Sequence, residues 1–122
     1  MLRNQSYPSF ECLVIDDGSS DGTPALCREI TGDDPRFRIF DDFPNHNVAK
    51  ARKAGIEKAR GDLIAILDQD DLWHKDKLLA QVQVMQMNPE ADMCFTGHQN
   101  FTSDRIPPPS VTSGKNPGFK GQ

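Results

Sequence analysis

Two largely apolar runs, each ending in carboxylates, set the hydrophobic pattern of the chain. Leu63-Ile64-Ala65-Ile66-Leu67 leads into Asp68-Gln69-Asp70-Asp71 and closes on Leu72-Trp73, and Phe10-Glu11-Cys12-Leu13-Val14-Ile15 leads into Asp16-Asp17. A short apolar run bounded by polar residues reads as a strand buried on both faces, as in parallel sheets. Arg36-Phe37-Arg38-Ile39-Phe40 alternates charged and apolar residues, which predicts an edge strand with one solvated face. Met93-Cys94-Phe95-Thr96 reads as a last short strand.

Helical signals fall between these runs. Thr23 reads as an N-cap with Pro24 at the first helical position, predicting a helix from Pro24 to Ile30 that stops near Gly32. Asn47 can cap a second helix from Val48 to Arg60, ended by Gly61. Its Val48, Ala51, Gly55 and Ala59 recur every three or four residues, a narrow small-residue face suited to close packing on a sheet. A third helix, Lys75 to Met87, carries Leu78, Val82 and Met85 on one face and stops at Asn88-Pro89. Strands alternating with helices predict an α/β fold, a mostly parallel sheet flanked by helices.

In that architecture ligands bind outside the carboxyl ends of the strands, where both acidic segments fall along one sheet edge. If the strand geometry continues through Gln69, the period of two puts Asp68 and Asp70 on one side. Two carboxylates there repel each other and repel phosphate, and a hard divalent cation with oxygen ligands resolves both conflicts. Taken alone, Asp68 and Asp70 also read as solvated loop carboxylates or as caps before Leu72. Asp16 reads as a turn or cap residue. Arg52 also reads as a surface helix residue, and Trp73 as a packing anchor ahead of a sugar-stacking platform. His46, His74 and His98 show no ligand spacing.

Composition narrows the classes. The 122 residues support one domain, 36% hydrophobic and 26% charged, with no apolar run long enough to span a bilayer. A formal charge of −4 argues against a general nucleic-acid binder, which would carry a basic face. Cys12, Cys27 and Cys94 are odd in number and form no CxxC pair, and no signal peptide opens the chain. Reduced thiols acting as small buried hydrophobes in a cytoplasmic protein are the expectation. From Ile106 onward the chain holds four of the nine prolines and three glycines, so residues 106–122 are expected to form a loosely packed or disordered tail after a domain over 1–105.

Three motifs in order carry a family resemblance: Gln5-Ser6-Tyr7-Pro8 with Leu13-Val14-Ile15-Asp16-Asp17-Gly18-Ser19-Ser20-Asp21-Gly22-Thr23, then Ala51-Arg52-Lys53-Ala54-Gly55, then Leu67-Asp68-Gln69-Asp70-Asp71-Leu72-Trp73. From about Asn4 to about Phe101 the chain resembles the nucleotide-binding half of family-two glycosyltransferases with the GT-A fold, a Rossmann-like domain. The resemblance implies an inverting sugar transfer from a nucleotide-diphosphate sugar, a UDP-sugar foremost, with Mg²⁺ or Mn²⁺. It places Asp17 at the uracil ring and Arg52 on the nucleotide side of the pocket. Asp68 and Asp70 match the family's DxD motif, Asp68 near the ribose and Asp70 on the metal, so the implied metal pair is Asp70 and Asp68. Acceptors in the family include polysaccharides, lipid-linked sugars and proteins, and peripheral membrane association would come through the full-length enzyme.

Departures from the pattern accompany the match. Val48 stands where glycine is usual and Lys53 where asparagine is common. The family's first strand would precede Met1, and its catalytic base would lie beyond about Phe101, with Asp104 a poor substitute. The chain alone is therefore expected to bind a metal–nucleotide weakly or not at all and to transfer no sugar efficiently. Two other readings compete. In a haloacid-dehalogenase-like phosphatase, Asp68 would attack phosphorus with Asp70 as acid, but only 51 residues follow Asp71 for its downstream partners. A non-catalytic nucleotide- and metal-binding interaction module would use the same fold.

Overall fold

Four residues of the upstream apolar run, Cys12–Ile15, form strand β1 in a computed structural model that describes residues 2–43, 47–98 and 100–102. Phe37–Phe40 forms β2, which pairs with β1 in parallel, Cys12 opposite Phe37 and Ile15 opposite Phe40. The parallel pairing needs a crossover, and α1 (Thr23–Thr31) supplies it. Gly32 ends α1 at φ 52°, a positive angle that glycine adopts without cost, and its amide donates to the Arg28 carbonyl. The alternating pattern of β2 therefore belongs to a strand of a β1–α1–β2 unit.

Helix α2 (Val48–Lys58) begins as its sequence predicts: the Asn47 side chain accepts from the Lys50 amide at 3.1 Å. It packs on β1 through Gly55, where an added Cβ would lie 3.3 Å from Ile15 Cγ1. The small-residue face is thus real at Gly55, but Val48 at its start is exposed, and Ala54 is the buried residue of the helix. Past α2, Glu11 binds three elements together. Its carboxylate accepts from Arg38 Nη1 of β2 at 2.9 Å and from the Arg60 amide at 2.6 Å, while Arg38 also donates to the Lys58 carbonyl at 3.2 Å.

These elements belong to one compact unit, Tyr7–Asp71. The other joins residues 2–6 to the described residues from Leu72 onward and contains helix α3 (Lys77–Met87). Asp76, at the N-cap, makes no side-chain capping bond. Gln5, only 6% exposed, does that work from far along the chain, accepting from the Leu78 amide at 3.1 Å and donating to the His74 carbonyl at 2.8 Å. Lys77 Nζ lies 4.3 Å from the Trp73 ring centre, and Gln81 donates to the Cys94 carbonyl at 3.3 Å.

Several expectations are corrected. Residues 62–67 are not a strand, and Leu63, Ile64 and Ile66 are about half exposed, at 49%, 49% and 55%. A strand apolar on both faces needs backbone partners and two covering layers. Among the described residues, β1 pairs only with β2 and no third strand flanks 62–67. Met93–Thr96 likewise forms no strand, and Met93 and Phe95 are exposed. Thr23 is the first residue of α1 rather than its cap; Gly22, at φ 79°, takes that place. Helix α3 starts two residues later than predicted, and α2 stops at Lys58, with Ala59 at its C-cap ahead of Gly61. The proline-rich tail and His46 lie outside the described residues.

Candidate functional site

The ladder of β1 reaches one residue past the strand, where the Asp16 amide donates to the Phe40 carbonyl at 2.8 Å. The Asp16 side chain then folds back over its own loop: Oδ2 accepts from the Gly18 amide at 3.2 Å and the Ser19 amide at 2.9 Å. Gly18 takes φ 90°, which lets the backbone turn so tightly. Asp16 is buried, and hydrogen bonds from the Ser19 hydroxyl, then the Ser19 and Gly18 amides, hold its carboxyl below the usual range against the opposing effect of burial. The reading of Asp16 as a turn residue thus describes its contacts. Further along, Asp21 Oδ1 accepts from the Thr23 amide at 3.1 Å and the Thr23 hydroxyl at 2.6 Å, tying the loop to the first turn of α1.

Asp17 differs from its neighbours. Its Oδ1 is buried and has no hydrogen-bond partner among the described residues. A buried carboxylate oxygen left unsatisfied carries a desolvation cost of about 1–3 kcal/mol or more. Asp17 lies at the carboxyl end of a parallel strand, the position where α/β folds generally place ligands.

Arg52 projects from the first half of α2 and reaches the acidic segment, its Nη2 2.6 Å from Asp68 Oδ1. Both side chains are about half exposed, 45% and 54%. The Asp71 amide donates to the Asp68 carbonyl at 3.1 Å, closing a turn with Gln69 and Asp70 at its centre. This corrects the extended path through Gln69: the period-of-two argument for Asp68 and Asp70 does not hold at a turn. It also follows that the two acidic segments do not end neighbouring strands, since 62–67 is not one. Asp70 is exposed and makes no hydrogen bond or ion pair among the described residues.

No group of three or more His, Cys, Asp or Glu side chains gathers for a metal among the described residues. Asp68 and Asp70 supply carboxylate oxygens alone, the donor type that suits Mg²⁺ or Mn²⁺ when phosphate oxygens complete the shell. His74 Nδ1 accepts from the Asp76 amide at 3.2 Å, a local structural role, and His98 is exposed. Cys12, Cys27 and Cys94 are free thiols and half-buried rather than fully buried; burial pushes the Cys12 thiol up to about 11. Asp104 lies outside the described residues. Sequence reasoning selected Arg52 and Asp68 separately but missed that they pair, and missed the Glu11 brace, for which the pattern of charges gives no long-range signal.

The β1–α1–β2 unit is of the α/β class, whose ligands generally sit outside the carboxyl ends of the strands, where Asp16 and Asp17 follow β1. Residues 1–120 match the model of the family described as glycosyl transferase family 2, and the chain belongs to that family. It is 36% identical over 106 residues to the "Putative teichuronic acid biosynthesis glycosyltransferase TuaG" of Bacillus subtilis strain 168, covering 87% of this chain and 42% of that protein. An uncharacterized glycosyltransferase of Haemophilus influenzae is 42% identical over 85 residues, 70% of this chain and 34% of that protein. "Putative glycosyltransferase EpsH" of Bacillus subtilis strain 168 is 39% identical over 75 residues, 62% of this chain and 22% of that protein. The chain thus spans less than half the length of these curated relatives. No solved structure matches it significantly.

Proposed function

We propose that the chain holds the donor-binding residues of a glycosyltransferase that uses a nucleotide-diphosphate sugar, with UDP as the preferred nucleotide. The observation that carries this reading is the buried Oδ1 of Asp17 at the carboxyl end of β1, which has no hydrogen-bond partner among the described residues. A carboxylate only accepts hydrogen bonds, so it selects a base whose facing edge donates, as the N–H of a uracil ring does. Cytosine presents an acceptor at the same ring position and would meet the carboxylate unfavourably. Asp16 shapes the loop that presents Asp17 and stays out of the ligand contact, because its own oxygen is occupied by two backbone amides.

Asp70 and Asp68 are the residues that would hold Mg²⁺ or Mn²⁺ beside the diphosphate. Bound there, the cation offsets a carboxylate–phosphate repulsion of about 4 kcal/mol at 4 Å and stabilises the departing nucleoside diphosphate. Arg52 adds a second positive group on the nucleotide side. In the whole enzyme an acceptor hydroxyl attacks the anomeric carbon in line and inverts it, with a carboxylate as base; no residue of this chain is assigned that role. The name of the Bacillus relative TuaG points to teichuronic acid biosynthesis as one setting, and that of the Haemophilus relative leaves the acceptor open. A cytoplasmic site of action, with the acceptor drawn from saccharides, lipid-linked sugars or proteins, completes the reading.

Calorimetric titration with UDP and CDP, each with millimolar Mn²⁺, tests it. UDP is expected to bind in preference to CDP, and Asp17→Asn to erase the preference because an amide can present either a donor or an acceptor. Equal binding of both nucleotides by the unaltered chain would contradict it.

A further inference from the structure

The ion pair between Arg52 and Asp68 makes Arg52 more than a lining residue. Resting on the donor-site reading above, we propose that Arg52 is a placeholder cation for Asp68 and that its exchange couples metal binding to nucleotide binding. Arg52 Nη2 stands 2.6 Å from Asp68 Oδ1, so one of the three carboxylates in the acidic turn is already paired with a cation. Asp70, in the same turn, has no such partner among the described residues. The cation next to Arg52 on the helix is engaged elsewhere: Lys53 pairs with Glu57 at 3.6 Å.

A guanidinium on one oxygen of Asp68 and a divalent cation on the other would repel each other, to an extent moderated by the exposure of the pair. A metal arriving alone therefore either displaces Arg52 or binds Asp70 with only partial help from Asp68. Displacement leaves the guanidinium without a partner, which opposes metal binding. A diphosphate removes that opposition, because pairs of its oxygens offer the planar guanidinium of Arg52 a two-pronged acceptor. Metal and nucleotide thus assist each other, and by linkage the factor is the same in both directions. Arg52 sits on a helix held at its start by Asn47 and against β1 at Gly55, so the exchange needs movement of the side chain only.

The sign of the effect distinguishes a placeholder from a structural pair. Mn²⁺ binding to the full chain is measured by electron paramagnetic resonance titration, without and with UDP, for the unaltered chain, Arg52→Gln, Asp68→Asn and Asp70→Ala. Arg52→Gln is expected to tighten Mn²⁺ binding in the absence of nucleotide by about two- to fivefold, the range open to a half-exposed ion pair. The same substitution is expected to reduce the enhancement that UDP gives to Mn²⁺ affinity. Circular dichroism confirms that each variant retains its fold. Unchanged or weaker Mn²⁺ binding in Arg52→Gln, with Asp70→Ala still abolishing it, would overturn the placeholder role while leaving the donor site standing. Mn²⁺ binding that is indifferent to both Asp70→Ala and Asp68→Asn would overturn the donor site itself, and the placeholder with it.

Discussion

Asp16 and Ser19 are joined at the end of β1, where the Asp16 carboxylate accepts from the Ser19 amide at 2.9 Å and also from its hydroxyl. The contact distinguishes two adjacent aspartates: one is consumed in shaping the loop, and the other keeps a buried oxygen with no hydrogen-bond partner among the described residues. Because Asp16 is held below its ordinary range in the folded chain, its contribution to stability is present above the unfolded value of about 3.9. That contribution is lost as pH falls through the lower folded value. Asp16→Asn is expected to flatten the acid limb of stability below about pH 4, the unfolded value of the carboxyl. Urea midpoints across that range check it, and an unchanged limb would count against the loop's dependence on the carboxylate.

Glu11 is held low in the same direction, first by the Arg60 amide and then by the Arg38 side chain. It links the start of β1 to β2 and to the chain leaving α2. Glu11→Ala is expected to destabilise the Tyr7–Asp71 unit by about 1–2 kcal/mol, the range of hydrogen bonds to charged groups after discounting partial exposure. Thermal unfolding measures the loss, and Glu11→Gln should recover part of it by keeping an acceptor.

Gly55 has room for no larger neighbour at Ile15. A Cβ at Gly55 would already stand 3.3 Å from Ile15 Cγ1, so a branched side chain must push α2 off β1. Gly55→Val is expected to cost about 1–3 kcal/mol, the usual range for overpacking. Because Asp16 and Asp17 follow Ile15 directly, UDP binding should weaken as well. A Gly55→Val chain that unfolds and binds like the original would show that the helix does not rest on the strand there.

Gln5 caps α3 across 73 positions of sequence. Gln5→Ala removes the acceptor of the Leu78 amide and one of the two donors to the His74 carbonyl, which keeps the Lys77 amide at 3.1 Å, so the Leu78 amide is the group left without its partner. Hydrogen exchange at the Leu78 amide should quicken by about tenfold, the equivalent of roughly 1.4 kcal/mol for a lost buried bond. Exchange at Arg38 and Ile39 in β2, which belong to the other unit, should stay as it was.

The parts of this fold that are legible from sequence are those fixed by local chemistry. Asn47 caps α2, Gly32 ends α1 and Asn88 ends α3 because each signal acts within one helical turn. Asp16 is readable as a turn residue for the same reason. The run from Leu63 to Leu67 has a strand's composition, but a strand also requires neighbours, and hydrophobicity alone does not supply them. The Asp68–Asp70 spacing misleads in geometry because the chain turns at Gln69. Contacts between distant residues leave no local signal: Gln5 with Leu78, Glu11 with Arg38, and Arg52 with Asp68 are set by how elements pack.

The central claim is that the acidic turn and the β1 loop form a donor site, and thermal unfolding with ligand tests it most directly. The full chain is heated alone, with millimolar Mn²⁺, with UDP, and with both, beside Asp70→Ala and Asp17→Asn. A ligand that binds only the folded state adds about 2.7 kcal/mol at a hundredfold excess over its Kd. The account predicts a cooperative transition that rises most with both ligands, rises less with UDP in Asp17→Asn, whose neutral amide is the weaker acceptor, and fails to rise with Mn²⁺ in Asp70→Ala. A transition that ignores both ligands, or that rises in the two variants as much as in the unaltered chain, would contradict it.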